Sequence, residues 1–272
     1  MISTPSDDSV ALHYQPLVND HGKVVGLESL MRWHHQHRGL ASPEGFVPIF
    51  ENCALIMPLS RWALRQACLD AVRWKRPLRV SVNASPMQFY RDDLPTLVGA
   101  LLDETGLAPD RLELEVTEAA LAADPGSAPA MLIRLERRGV RLALDDAGSG
   151  VTLPFLLQDH SFAAIKIARN LVAQIETSAA ARSVIHFIML AGHAMDVPVT
   201  AKGVETIGQL AYLREQGCDL IQGYLVGAPG PIESFALVTG NQSEDSQPSA
   251  FAIHWPVDTV LAEATRFSTV VH

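Results

Sequence analysis

The sequence predicts an α/β barrel of eight strands with interleaved helices, on three observations. Short β-rich runs alternate with helical stretches, glycines stop the helices, and polar residues end otherwise apolar strands.

In chain order the strand candidates are 10–18, 24–33, 78–84, 111–117, 140–146, 163–167, 198–203 and 220–226. Several stay apolar up to their last residues, as strands covered on both faces do. Between them, 59–74 carries Trp62, Ala63, Leu64, Ala67, Leu69, Ala71 and Val72 with charges interspersed, a helical pattern. The stretches 94–104, 128–138 and 207–216 run to Gly106, Gly139 and Gly217. Glycine just past a helix is a common stop because it takes left-handed angles without a steric penalty. The most apolar helix, 184–195, is interrupted by His186 and His193 and is too short to span a bilayer. This alternation fits a βα barrel or a doubly wound sheet.

The strand ends decide between them. Glu28, Asn83, Glu115, Asp145 with Asp146, Lys166, Lys202 and Gln222 lie at or near the C-terminal ends of seven of the eight strands. Helix capping explains one such residue, not seven. In a barrel these ends converge on one mouth, whereas in an open sheet they spread along an edge. Residues 1–9 read as an N-terminal extension, 10–238 as the barrel domain, and 239–272 as a polar linker and tail. Within that tail, 241–249 is rich in breakers and 257–267 is a candidate amphipathic helix.

The formal net charge of -9 argues against a basic face for DNA or RNA, so an anionic ligand needs local Lys and Arg residues or a metal. Cys53, Cys68 and Cys218 form no CxxC pair and read as reduced, buried thiols. Residues 1–10 lack the basic and apolar regions of a signal peptide. Together these features predict a cytoplasmic protein without a membrane segment.

Glu28, Asn83, Glu115, Asp145 and Asp146 are hard oxygen donors suited to Mg²⁺, Mn²⁺ or Ca²⁺. Four carboxylates around one mouth repel one another without a cation, and Asp145 beside Asp146 can bridge or split between two ions. The competing explanation makes them separate caps and surface ion pairs.

Tyr14-Gln15-Pro16, then Glu28-Ser29-Leu30 with Arg32-Trp33, and further short motifs as far as Gln222-Gly223-Tyr224 form an ordered series that resembles the EAL domain family of cyclic di-GMP phosphodiesterases. Glu28-Ser29-Leu30 with Arg32-Trp33 is similar to its Glu-Ala-Leu signature and following Arg-Trp. Tyr14-Gln15-Pro16, Ser81-Val82-Asn83-Ala84-Ser85, Glu115-Val116-Thr117-Glu118, Asp145-Asp146, Lys166-Ile167, Gly203-Val204-Glu205-Thr206 and Gln222-Gly223-Tyr224 follow in the family's order, covering about 10–231. The resemblance implies a TIM-type (β/α)₈ barrel whose first strand is antiparallel, and Mg²⁺- or Mn²⁺-dependent cleavage of cyclic di-GMP to pGpG. By matched position it implies that Glu28, Asn83, Glu115 and Asp145 hold one metal and that Asp146 holds a second. It makes Lys166 the holder of the attacking water, Gln15, Arg32 and Gln222 the substrate contacts, and Glu118 and Glu205 supporting carboxylates.

This chain departs from the family where Ala-Glu-Gly-Val-Glu becomes Ala201-Lys202-Gly203-Val204-Glu205. The lost Glu stands beside the second metal and the nucleophilic water. An ammonium repels Mg²⁺ and takes no proton from water at its ordinary pKa of about 10.4. The loop after the aspartates, Ala147-Gly148-Ser149-Gly150-Val151-Thr152-Leu153, keeps both glycines and loses both aromatics of a segment that in the family links the metal site to the dimer interface. Lys-Ile-Asp becomes Lys166-Ile167-Ala168. One metal site is therefore expected and the second is doubtful.

Lesser signals read as structural. His34, His35 and His37 fit a solvated loop better than a metal site. Gly148-Ser149-Gly150 is a weak phosphate-cradle signal. Trp62 and Trp74 fit helix core positions, and Arg73-Lys75-Arg76 and Arg137-Arg138 fit solvated helix ends. The sequence thus predicts a degenerate EAL domain that binds cyclic di-GMP with little or no hydrolysis. The alternatives are a working phosphodiesterase using Glu205 or Asp146 as substitute base, and a protein-interaction module that has abandoned the nucleotide. A protein partner and a homodimer stay open.

Overall fold

The computed structural model describes residues 9–35, 39–41, 56–91, 93–123, 126–149 and 162–241. The strands are β1 (Ser9–Asn19), β2 (Val24–His35), β3 (Gly39–Ala41), β4 (Arg79–Asn83), β5 (Leu112–Thr117), β6 (Arg141–Ala147), β7 (Ala164–Ile167), β8 (Val199–Ala201) and β9 (Leu220–Ile221). Eight close into a ring in the order β1-β2-β4-β5-β6-β7-β8-β9, and among the described residues β3 pairs only with the outer end of β2. Strand β1 runs antiparallel to both neighbours, and every other pairing around the ring is parallel. The expected (β/α)₈ barrel with a reversed first strand is the fold.

The helices are α1 (Ile56–Val72), α2 (Pro86–Arg91), α3 (Leu94–Thr105), α4 (Glu118–Ala123), α5 (Ala128–Arg137), α6 (Arg169–Val172), α7 (Ala179–Ala194), α8 (Ile207–Glu215) and α9 (Ala236–Thr239). The expected stops hold: Gly106 takes left-handed angles, with φ 73°, and its N–H bonds to the Leu102 carbonyl. Thr206 opens α8 with a capping box, its hydroxyl accepting from the Gln209 N–H. Sequence periodicity did not disclose β3, α2, α4, α6 and α9, which are too short for a pattern to develop. The expected strand 220–226 stops at Ile221, because Val226 N–H turns back to the Gly223 carbonyl.

The apolar core is a shell rather than a plug. Val80 and Val82, Leu112, Leu114 and Val116, and Leu142 and Leu144 are buried in one cluster with Leu64, Ala67, Val98, Leu102, Leu132 and Leu135 of the surrounding helices. The alternate residues face inward. These are Arg79, Ser81 and Asn83; Glu113, Glu115 and Thr117; Arg141, Ala143 and Asp145. Trp74 is buried and meets Tyr14 edge to face at 5.9 Å, whereas Trp62 is half-buried on α1. Cys68 and Cys218 are free and buried, and Cys53 lies outside the described residues. Among the described residues no helix is long and apolar enough to cross a membrane. Of the expected N-terminal extension 1–9, residues 1–8 lie outside them and Ser9 already belongs to β1; most of the expected tail, including the candidate helix 257–267, also lies outside them.

Candidate functional site

The C-terminal ends of the barrel strands open into a cavity of about 720 Å³, a size that suits a small organic ligand. Gln15, Glu28, Arg32, Asn83, Asp145, Asp146, Lys202, Glu205 and Gln222 all line it. The remaining expected site residues, Glu115, Glu118 and Lys166, are buried and do not line it. Glu28 is mid-strand in β2 because the strand continues to His35 along β1 and β3. Its parallel pairing with β4 covers only Gly26 to Ser29, so Glu28 still sits at the barrel's mouth.

Side-chain amides fix the first carboxylate. Asn83 Nδ2 donates to Glu28 Oε1 at 2.9 Å, and Gln222 Nε2 donates to the other oxygen. Gln222 also donates to Gln15 Oε1 at 3.1 Å, and Gln15 Nε2 donates to the Gly227 carbonyl at 3.0 Å. This chain of bonds ties the second strand to both ends of the domain. Arg32 is buried on the wall and donates to the Met31 carbonyl.

Two lysines stand among the carboxylates. Lys202, just past β8, contacts Asp145 Oδ1 and lies 3.1 Å from Asp146 Oδ1. Successive strand residues point to opposite faces. Asp146 escapes that rule by a φ of 53°, in the left-handed region that Asp tolerates better than most residues. Burial opposes the charge on Lys202, but Asp145, Glu28, Glu115 and Asp146 outweigh it and raise its pKa above the ordinary lysine value. Lys166 is wholly buried one layer below, bonded to Glu115. Burial opposes its charge too, and Glu115, Glu28, Glu113 and Asp145 again raise the pKa. Glu115 is the carboxyl that gives way: burial and Glu28 push its pKa well above the usual carboxylate range, with Lys166 offsetting part of that.

The sequence reading missed two residues here. Glu113 is buried beneath the site, accepting from Ser81 Oγ at 2.9 Å, with Lys166, Arg79 and Arg141 at 3.7, 3.7 and 3.5 Å. The signal was present: Leu112-Glu113-Leu114-Glu115 puts both glutamates on one strand face. Arg169, at the start of α6, lines the cavity, pairs with Glu205 at 2.8 Å, and lies over the Tyr224 ring at 5.9 Å from its centre. It was hidden because an Arg opening a short helix has no distinctive spacing.

Among the described residues, oxygen donors suited to a hard cation gather at one position. Glu28, Asn83 and Glu115 supply them, and the buried Glu115 Oε2 accepts no hydrogen bond among the described residues. A divalent ion would satisfy that oxygen. At the Asp145–Asp146 pair the donor set does not fit a second ion, since the Lys202 ammonium contacts both carboxylates. Among the described residues no three His, Cys, Asp or Glu side chains already converge as a metal cage. His34 is exposed, and residues 36–38 lie outside the described ones. Gly148 packs beside Leu171, Val184 and Ile188 and does not line the cavity.

The EAL domain family matches residues 3–229. The chain belongs to the EAL family. A signalling protein of Caulobacter vibrioides is 42% identical over 235 residues, covering 86% of this chain and 29% of that protein. The cyclic di-GMP phosphodiesterase NbdA of Pseudomonas aeruginosa is 37% identical over 231 residues, covering 83% of this chain and 30% of NbdA. The EAL chain therefore spans about three tenths of the length of these relatives. The PaMucR phosphodiesterase, solved as a c-di-GMP complex, superposes with a TM-score of 0.81 at 31% identity, covering 83% of this chain and 94% of that one.

Proposed function

We propose that this EAL domain binds cyclic di-GMP in the barrel-mouth cavity and hydrolyses it little or not at all. Binding is supported by the cavity's size, by Gln15, Arg32 and Gln222 on its wall, and by the likeness to PaMucR, whose structure contains c-di-GMP. The observation that carries the loss of hydrolysis is Lys202 Nζ held between Asp145 and Asp146.

Hydrolysis of a phosphodiester needs a group that takes a proton from water as the nucleophile forms. Lys202 keeps its proton because the surrounding carboxylates raise its pKa. Asp146 is engaged by Lys202 and Glu205 by Arg169, so neither substitute base stands free of a cation. Lys166 lies buried beneath the cavity, also held as an ammonium. A divalent ion at Glu28, Asn83 and Glu115 would supply Lewis-acid polarisation of a phosphate oxygen. The chain's own residues bind and orient the ligand, and among the described cavity-lining residues none is poised to activate water.

The test pairs calorimetric titration of cyclic di-GMP, with and without Mg²⁺, with chromatography of the products. The expected result is saturable heat and no pGpG from the wild type. Absence of heat under both conditions would sink the binding reading. Sustained pGpG from the wild type, abolished by Glu28→Ala, would establish the working phosphodiesterase instead.

A further inference from the structure

Lys202 does more at this site than remove a carboxylate. The left-handed turn at Asp146 brings two consecutive side chains to one side of β6, where both aim at a single point. The atom at that point is Lys202 Nζ, reaching across from the end of β8 over β7. Two oxygens from adjacent residues around one cation is the geometry of a chelate, and here the chelated cation belongs to the protein.

Replacing Lys202 by glutamate would change the formal charge beside the Asp145–Asp146 pair by two units. Because Lys202 also lines the cavity, its positive charge faces whatever anion enters. We propose that the Lys202 ammonium is a permanent resident cation at the Asp145–Asp146 pair. It excludes a second divalent ion from that position and presents its charge to a phosphate oxygen of the ligand. The choice of ligand rests on the nucleotide reading above; the exclusion of the ion does not.

The experiment counts Mn²⁺ bound per chain by electron paramagnetic resonance, without nucleotide, in the wild type and in Lys202→Glu. The variant should hold one more ion than the wild type. Equal counts overturn the assignment, whatever their value. Lys202→Met keeps the length and loses the charge, so it gives a second count if the Glu variant does not fold, and it too should gain the ion. Calorimetry with cyclic di-GMP in EDTA tests the second half. Affinity should fall tenfold or more in Lys202→Met and recover when Mn²⁺ is added. Unchanged affinity in that variant refutes the contact with phosphate. A wild type that gives no heat with cyclic di-GMP, while the counts still differ by one, removes the nucleotide and leaves the resident cation standing.

Discussion

Replacing Glu113 by Gln should destabilise the barrel strongly and in a pH-dependent way. The substitution keeps the shape and removes one charge from a buried cluster. Glu113 is 2% exposed, accepts from Ser81, and has Lys166, Arg79 and Arg141 within 3.7 Å. Removing one partner of a buried ion pair costs about 3–5 kcal/mol, because the opposite charge is left uncompensated. Arg79 and Arg141 retain 26% and 30% side-chain exposure, so water relieves part of their loss and the lower end applies, about 3 kcal/mol. For a domain of this size each kcal/mol shifts Tm by about 2–4 °C, giving a drop of about 6–12 °C at pH 7.

The pH dependence of that drop separates charge from packing. Burial pushes the Glu113 pKa up, but Lys166, Arg79, Ser81 and Arg141 together outweigh it and hold the pKa below the ordinary carboxylate value. A group depressed in the folded state stabilises above its unfolded pKa, about 4.3, and loses that contribution as pH falls through the folded value. The difference between wild type and Glu113→Gln should therefore be largest near neutrality and shrink below about pH 4. Thermal unfolding followed by circular dichroism measures both. A drop under 2 °C at pH 7, or an equal drop at about pH 3.5, would refute the ionic account of the barrel interior.

Other outcomes follow from the same geometry. Arg169→Ala breaks an exposed pair worth at most about 1 kcal/mol, so Tm should hold within about 4 °C while cyclic di-GMP affinity falls roughly tenfold. Unfolding and calorimetry on one preparation check both. Gly203→Ala introduces a Cβ 2.4 Å from Arg169 Cγ at a φ of 73°, costing about 1–2 kcal/mol and displacing Arg169 from the rim. Its affinity loss should match that of Arg169→Ala, with a lower Tm besides. Burial raises the thiols of Cys68 and Cys218 to about 12. Mass spectrometry should find both unlabelled by iodoacetamide at pH 8 in the native chain and labelled after denaturation.

The barrel was legible because its chemistry interrupts its hydrophobicity. Asp145, Lys166 and Lys202 each follow apolar residues that point outward to helices, and an apolar run has no other reason to end on a charge at so many strands. The distinction between wall and floor was not legible. Glu115 and Lys166 read as mouth residues like Asp145, yet they are buried below it, because depth depends on the stagger between strands, which sequence spacing does not encode. The ionic interior around Glu113 escaped for a related reason. Arg79, Glu113 and Arg141 come from three strands, and only their register brings them together. The left-handed Asp146 was equally invisible: the adjacent aspartates were expected to bridge or split between two ions, and their spacing does not show the turn that aims both at Lys202.

The reversed first strand has a consequence for how the pocket comes into being. Its Gln15 meets Gln222 and Gly227, and Tyr14 pairs with Gly230, so the ring is sealed by segments more than 200 residues apart. Closing so long a loop is slow, and no local turn does it in advance. During synthesis the recognition surface cannot exist until the ribosome has released the last barrel strand. A chain cut short before Leu220 would carry most of the pocket-lining groups and leave the ring open between its first and last strands.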